Sequence, residues 1–502
     1  MDLPDYEQKL GEAYELLDAG QFDKANVSFK NLMRKRPRSV PAWLGYARCA
    51  HLQGQLSAAE QAWQTARNLE PQNAQLLLEL GHMFEGLRQP EKAREHFEAA
   101  NAIEPDAINP RISMALLLEK SNRLDEARQA VDRCLALNSD DDQARYVAAL
   151  LCLREKRFDE AEEQLRELIA SAPKHEYVRY AVHYDLAHIL DRKDRFDEAM
   201  QELDTAKKMV LALGDTEFLS RQYDAVARLQ LRAAKGFPKN IFQLWIKNFP
   251  EEKRAPIPSF AFLAGHPRSG TTLLEQILGS HPDVAAIDEP MVIQIALAAY
   301  ADRSVASAIP RLNVARQRYI ESLQQAHGGD TGGKLLLEKN PSPTLMLPAL
   351  LRVFPEMRVI MALRDPRDVI LSCYFQNIPL NQANANFLSL ERLARHYANL
   401  MDVWLTVKQW EGFQWTETRY EDVVADLETE GRRVTQFLGL AWHEKQAGFY
   451  ENSVERRLYS PTYHEVRQPV HSRSVGRWRN YQKYLEPILP ALEPYCRALG
   501  YS

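Results

Sequence analysis

Gly265 and Gly270, in the stretch GHPRSGTTLL (265–274), have the spacing of a GxxxxGK[ST] phosphate-binding loop, yet Thr271 stands where the lysine belongs. A triphosphate held without that lysine, and without an evident magnesium carboxylate, would be poorly neutralised. Arg268 offers instead a permanently charged, bidentate fork that suits a sulfuryl or phosphoryl group. If the loop leaves a strand and opens a helix, the backbone around Ser269, Gly270, Thr271 and Thr272 presents N–H donors and a helix N-terminus to an anion.

About a hundred residues further on, LRDPRDVILS (363–372) ends an apolar run at Arg364 and places Ser372 eight residues later on a helical stretch. With both stretches in view, the chain resembles sulfotransferases that use 3′-phosphoadenosine-5′-phosphosulfate (PAPS). PRSGTTLL is similar to the 5′-phosphosulfate loop of that superfamily and LRDPRDVILS to its 3′-phosphate motif. The resemblance implies that Arg268, Ser269, Gly270, Thr271 and Thr272 hold the phosphosulfate and that Arg364 and Ser372 hold the 3′-phosphate. Within the superfamily the likeness runs to tyrosylprotein sulfotransferases. HPDVAAIDEP aligns Glu289 with their catalytic glutamate, and LLLEKNP aligns Lys339 with the lysine that contacts the transferring sulfate. RYEDVVADLETEGRRVTQFLGL aligns Tyr420 with an adenine-side tyrosine, and PVHSRSVGRWRNY nominates Ser474, with Arg473 and Trp478, in a loop closing over the cofactor. Where that family continues into Thr-Arg after its glutamate, this chain has Pro290 and Met291, so one group that would hold a peptide is missing.

The chemistry follows from the residue types as well. Sulfuryl transfer moves SO3 in line between two oxygens, and charge grows on the bridging and leaving oxygens. Cations such as Arg268 and Lys339, with the loop amides, lower that barrier, and no metal is required. The acceptor must lose a proton, which a phenol of pKa about 10 does more readily than an alcohol. Glu289 is the expected base. His266 is expected to brace the loop, and Asp365 and Asp368 to cap a helix and soften its first turn. Arg477 and Arg479 read equally as cofactor-side or surface charge.

These groups need a scaffold. FAFLAG (260–265), VAAID (284–288), KLLLE (334–338), RVIMALR (358–364) and FQWTETRY (413–420) read as buried strands with helices between them. That alternation predicts a parallel sheet covered on both faces, with ligands at the strands' carboxyl ends, where every motif above falls.

Upstream, Ala25, Ala59, Ala93, Ala127 and Ala161 are spaced by 34 residues and Ala199 follows after 38; Pro37, Pro71, Pro105 and Pro173 each sit twelve residues after one of these alanines. This period resembles the tetratricopeptide repeat and implies paired amphipathic helices stacked into a solenoid. The four extra residues near His175–Arg179 lengthen a loop or a helix. Such arrays bind peptides or proteins in a groove, and the register puts Arg48, His51, His82, Lys120 and Arg154 there with Glu85 and Glu119. That face reads either as a groove for an acidic peptide or as ordinary surface charge.

The whole chain sets the remaining bounds. Its 502 residues exceed one core, and 45% hydrophobic with 26% charged residues describes a globular protein. A net charge of −5 argues against nonspecific nucleic-acid binding. No run is long enough to span a membrane, the N-terminus lacks a secretory pattern, and five scattered cysteines fit a reducing compartment, so a cytoplasmic protein is expected. The expected architecture is an all-α tetratricopeptide-repeat solenoid of about six helical pairs (1–213), a helical junction and linker (214–255), and an α/β, P-loop-like sulfotransferase domain with a parallel sheet (256–502). Three functions compete: a PAPS-dependent sulfotransferase acting on tyrosine of a peptide or protein recruited by the repeats; the same transferase acting on a carbohydrate, lipid or small phenol; and a repeat adaptor with an inactive second domain.

Overall fold

In the computed structural model, residues 3–18, 21–53, 55–86, 89–290, 292–301, 308–452 and 470–501 are described. Met291, singled out above, and Pro469, the first residue of PVHSRSVGRWRNY, lie outside them. The chain divides into two compact units, Met1–Gln164 and Leu165–Ser502.

The repeat period becomes helical hairpins. The first ten helices are α1 (Leu3–Asp18), α2 (Phe22–Lys35), α3 (Val40–Leu52), α4 (Leu56–Leu69), α5 (Ala74–Gly86), α6 (Pro90–Ile103), α7 (Ile108–Lys120), α8 (Leu124–Leu137), α9 (Asp142–Arg154) and α10 (Phe158–Ala170). Two more, α11 (Glu176–Arg192) and α12 (Phe196–Leu211), continue the pattern in the second unit. All six periodic alanines are fully buried on the second helix of a pair. The close approach they permit is visible at Gly81, where an added Cβ would fall 2.3 Å from the Phe97 ring. The prolines fall in the turns, after helices that they could not extend. The 38-residue step resolves into one additional helical turn: α3, α5, α7 and α9 each have 13 residues, and α11 has 17. Lys120 pairs with Glu85 at 2.5 Å and Arg154 pairs with Glu119. Burial pushes the Glu85 carboxyl up, but hydrogen bonds from His82 and Lys120 outweigh it and hold it at about 2. Two of the expected groove cations are therefore neutralised by neighbouring repeats.

In the second unit, α13 (Thr216–Lys235) and α14 (Ile241–Asn248) precede the sheet. There follow β1 (Phe260–Gly265), α15 (Thr271–Gly279), β2 (Val284–Asp288), α16 (Ile293–Ala301), α17 (Ala308–His327), β3 (Leu335–Lys339), α18 (Leu347–Val353) and β4 (Arg358–Leu363). The chain continues through α19 (Pro366–Tyr374), α20 (Leu390–Val407), β5 (Gln414–Arg419), α21 (Tyr420–Ala425) and α22 (Leu427–Phe437). The sheet runs β2-β3-β1-β4-β5 and every pairing is parallel. Central β1 is buried along its whole length, as its unbroken apolar run requires. Leu274 and Leu278 of α15 and Val434 of α22 join strand side chains in one core cluster. Tyr319 of α17 and Phe354 pack edge-on, both against Phe260. Strand order reverses beside β1, which carries its carboxyl end against those of β3 and β4: Leu263 lies opposite both Lys339 and Ile360. That crevice is where such sheets hold ligands.

All five cysteines are unpaired and buried. Among the described residues no helix is long and apolar enough to cross a membrane.

Candidate functional site

The loop after β1 is shaped by conformations that few residues tolerate. Gly270 caps α15 at φ +88°, and a Cβ there would sit 2.7 Å from the Tyr420 ring. Arg268 also has a positive φ, 73°. The Thr344 hydroxyl lies 3.0 Å from both the N–H and the carbonyl of Gly265, accepting from one and donating to the other. Ser269 Oγ donates to the His266 carbonyl at 2.7 Å, tightening the turn. Thr271 and Thr272 open α15 from buried positions, and Gly270 has no side chain with which to cap it. The first N–H groups of the helix therefore face the loop's concavity, a setting that favours an anion.

A second arm meets the loop from β4 and α19. Arg268 Nε donates to Ser372 Oγ at 3.1 Å. Arg364 donates through Nη1 to the Arg268 carbonyl at 3.1 Å and through Nη2 to the Ser474 carbonyl at 2.5 Å. Its guanidinium lies over the Tyr420 ring, 4.8 Å from the centroid. Arg364 Nε is buried without a hydrogen-bond partner among the described residues. An orphaned cationic donor on a guanidinium that already bonds the Arg268 loop is what a bound phosphate would satisfy. The structure thus assembles Arg268, Ser372, Arg364, Ser474, Gly270 and Tyr420, drawn from four separate stretches of sequence.

The third element is a buried cation at the end of β3. Lys339 is fully buried and ion-paired with Asp288 and, at 2.7 Å, with Glu289. Burial pushes its ammonium down, but the two carboxylates overcome this and hold it well above the usual lysine range. Glu289 has φ +46°, a costly conformation for a side-chain-bearing residue, and its N–H donates to the Lys339 carbonyl at 2.7 Å. Asn340 Nδ2 donates to the Pro290 carbonyl at 3.1 Å and fixes the turn beyond it. The Glu289 side chain is 36% exposed, so the carboxylate reaches solvent while its cationic partner stays dry.

Comparison with known proteins identifies the families of the two regions. Residues 259–444 match the sulfotransferase family, and two tetratricopeptide-repeat families match 16–80 with 153–209, and 53–108 with 112–176. The chain joins a tetratricopeptide-repeat array to a sulfotransferase-family domain. An uncharacterized protein of Aquifex aeolicus is 25% identical over 344 residues, 65% of this chain, which spans only 43% of that relative's length. Protein-tyrosine sulfotransferase A of Caenorhabditis elegans is 24% identical over 271 residues, covering 48% of this chain and 67% of the relative. The solved sulfotransferase domain of the Synechococcus PCC 7002 olefin synthase is 21% identical, covering 45% of this chain and 88% of that one, with a TM-score of 0.33.

In the sulfotransferase-family domain Asp288 and His396 were missed by motif reading, whereas His266, Asp365 and Asp368 were named. Asp288, the second partner of Lys339, stands beside Glu289 as one acid of a pair, and only the adjacency hinted at it. His266 is buried inside the domain: Nδ1 lies 2.7 Å from the Pro267 carbonyl, and Nε2 lies 2.8 Å from Nδ1 of His396. A carbonyl only accepts, so Nδ1 carries the proton, Nε2 accepts, and His396 donates. Burial holds His266 down at about 4. It braces the loop, with no lone pair left for an acceptor. Asp365 caps α19 by accepting from Arg367 N at 2.9 Å. Asp368 does more than soften the first turn: it accepts from the N–H groups of Gly476 at 2.7 Å and Trp478 at 2.8 Å.

Proposed function

We propose that this protein transfers a sulfuryl group from PAPS to the hydroxyl of tyrosine in a peptide or protein. The observation that carries the reading is the junction of two anion sites: the Arg268 loop at the open end of α15, and the Arg364–Ser372 arm with its orphaned Nε. A donor with one phosphosulfate and one separate phosphate spans two such sites, whereas AMP or a plain phosphate ester engages one. When bound, the donor supplies a sulfuryl group already joined to a phosphate leaving group. Arg268, the loop amides and Lys339 offset the negative charge that grows on the bridging oxygen. Glu289, at the solvent edge of the Lys339 pair, takes the phenolic proton as the acceptor oxygen bonds to sulfur and the sulfur–phosphate oxygen bond breaks. Tyrosine as acceptor is supported by the likeness to protein-tyrosine sulfotransferases and by the relative acidity of a phenol. The repeats would add a second contact with a large acceptor and raise its concentration at the site.

The test incubates the full chain with PAPS and tyrosine-containing peptides, a monosaccharide or a simple phenol, reading products by mass spectrometry. Sulfated tyrosine is expected. Glu289→Gln should lower turnover at least ~100-fold while leaving affinity for 3′-phosphoadenosine-5′-phosphate unchanged. Preferential sulfation of the sugar would replace the acceptor, and equal affinity for AMP would remove the donor assignment.

A further inference from the structure

We infer that Asp191, near the end of α11 in the last repeat hairpin, is a positioning residue for the donor site, and that the loop carrying Ser474 docks on it as the next repeat would. The inference rests on the donor reading above. Glu85, Glu119 and Asp191 occupy one register, each five residues before the helix that follows it, at Pro90, Leu124 and Phe196. In the first two cases the acid receives a cation 35 residues further on, Lys120 for Glu85 and Arg154 for Glu119. After α12 no further repeat supplies that cation. Arg477 supplies it instead: its Nε donates to Asp191 Oδ1 at 3.0 Å, and the Tyr481 hydroxyl donates to the same oxygen at 2.6 Å. The Arg477 guanidinium lies 4.1 Å from the Phe375 ring centroid, and Tyr481 packs edge-on between Phe196 and Phe375.

The docked segment is short and held from two sides. On one side Asp368 receives Gly476 and Trp478 N–H; on the other Asp191 receives Arg477 and Tyr481. Between these anchors and Arg364 runs one hydrogen bond among the described residues, the Ser474 carbonyl that accepts from Arg364 Nη2. Releasing Asp191 frees half of the anchorage, and Arg364 then loses the carbonyl that aims its unpartnered Nε. The role is expected on the donor side, because both anchors act on the segment that carries Ser474 and through it on Arg364.

The experiment compares the full chain with Asp191→Asn, which keeps the shape and removes the charge, and with Asp191→Glu. Asp197→Asn serves as control, since Asp197 binds Lys483 and the Tyr484 hydroxyl on the same face without touching residues 471–481. Calorimetry with 3′-phosphoadenosine-5′-phosphate and amide exchange without nucleotide are measured on each. Asp191→Asn should weaken the nucleotide about tenfold and raise the donor KM in step, with the acceptor KM unchanged. Amide exchange should rise at Val475–Trp478 alone. Asp191→Glu should recover part of the affinity. Wild-type affinity in Asp191→Asn, or an equal loss in Asp197→Asn, overturns the inference. If the wild-type chain binds no nucleotide, the donor reading falls, and a local rise in exchange would still establish the anchor.

Discussion

Glu338 and Lys339 are neighbours on β3 with opposite fates. Burial disfavours charge on both, but Lys339 faces two carboxylates while Glu338 faces the Tyr319 hydroxyl at 2.8 Å. Burial therefore pushes the Glu338 carboxyl up from 4.5 to about 8, against the smaller opposing pull of Tyr319 and Asn340. From about pH 4.5 to 8 the folded chain holds a proton that the unfolded chain has released, so stability falls as pH rises through that window and is flat above it. Glu338→Gln keeps an acceptor for Tyr319 and removes the ionisation. Its thermal midpoint relative to wild type should climb from pH 5 to pH 8, by several degrees at the upper end; a constant difference would show that Glu338 does not titrate there. At this scale the sequence reveals residues whose neighbours are near in the chain. Arg268, Lys339 and Glu289 could be named because each sits in a recognisable stretch. Asp288, Thr344 and His396 could not, since their importance comes from strands and helices brought alongside.

The elements were easier to read than their ends. Five runs bounded by turns become the five strands, and β1 and β3 are buried throughout, as their unbroken apolar runs require. β5 corrects the expectation of a buried strand: it lies at the sheet edge with only Thr418 buried, as its polar residues allow. β3 reaches Lys339, one residue past the expected limit, because that cation is satisfied by β2's acids inside the sheet edge. The alanine period gave each hairpin and its phase, while the additional turn of α11 was announced only as four surplus residues. Gly270 shows the converse, a local conformation demanded by a distant ring. Gly270→Ala would force a Cβ to 2.7 Å from Tyr420 at φ +88°. It should cost about 1–3 kcal/mol of stability. Nucleotide affinity should fall with it, as Tyr420 shifts under Arg364. A variant binding nucleotide like wild type would mean that the ring yields without consequence for the site.

At the scale of the molecule, sequence periodicity and packing divide the chain differently. The period runs on to about residue 213, yet α11 and α12 are knitted into the second unit. Asp204 accepts from the Tyr374 hydroxyl at 2.7 Å, and buried Lys207 lies 4.8 Å from the ring centroids of both Tyr184 and Tyr374. Periodicity records how a helix was templated, and it is blind to what the helix later packs against. A chain beginning at residue 174 should therefore unfold cooperatively and bind 3′-phosphoadenosine-5′-phosphate. One beginning at residue 214 strips the cover from Tyr374, Phe375 and Tyr481 and should be insoluble or melt at least 10 °C lower, by about the shift that a loss of several kcal/mol brings. Equal behaviour of the two fragments would show that the last hairpin is dispensable.

The five buried thiols have a consequence of another kind. Burial pushes Cys49, Cys134 and Cys496 to about 11 and Cys373 to about 12, and raises Cys152 as well. The thiolate is the form that reacts with oxidants and attacks disulfides, so the folded chain offers almost none of it at neutral pH. Oxidation must wait for a molecule to open, which makes crosslinking a fate of damaged copies rather than of working ones. Cys49, Cys134 and Cys152 belong to the first unit and Cys373 and Cys496 to the second, so each unit carries its own record of having come apart.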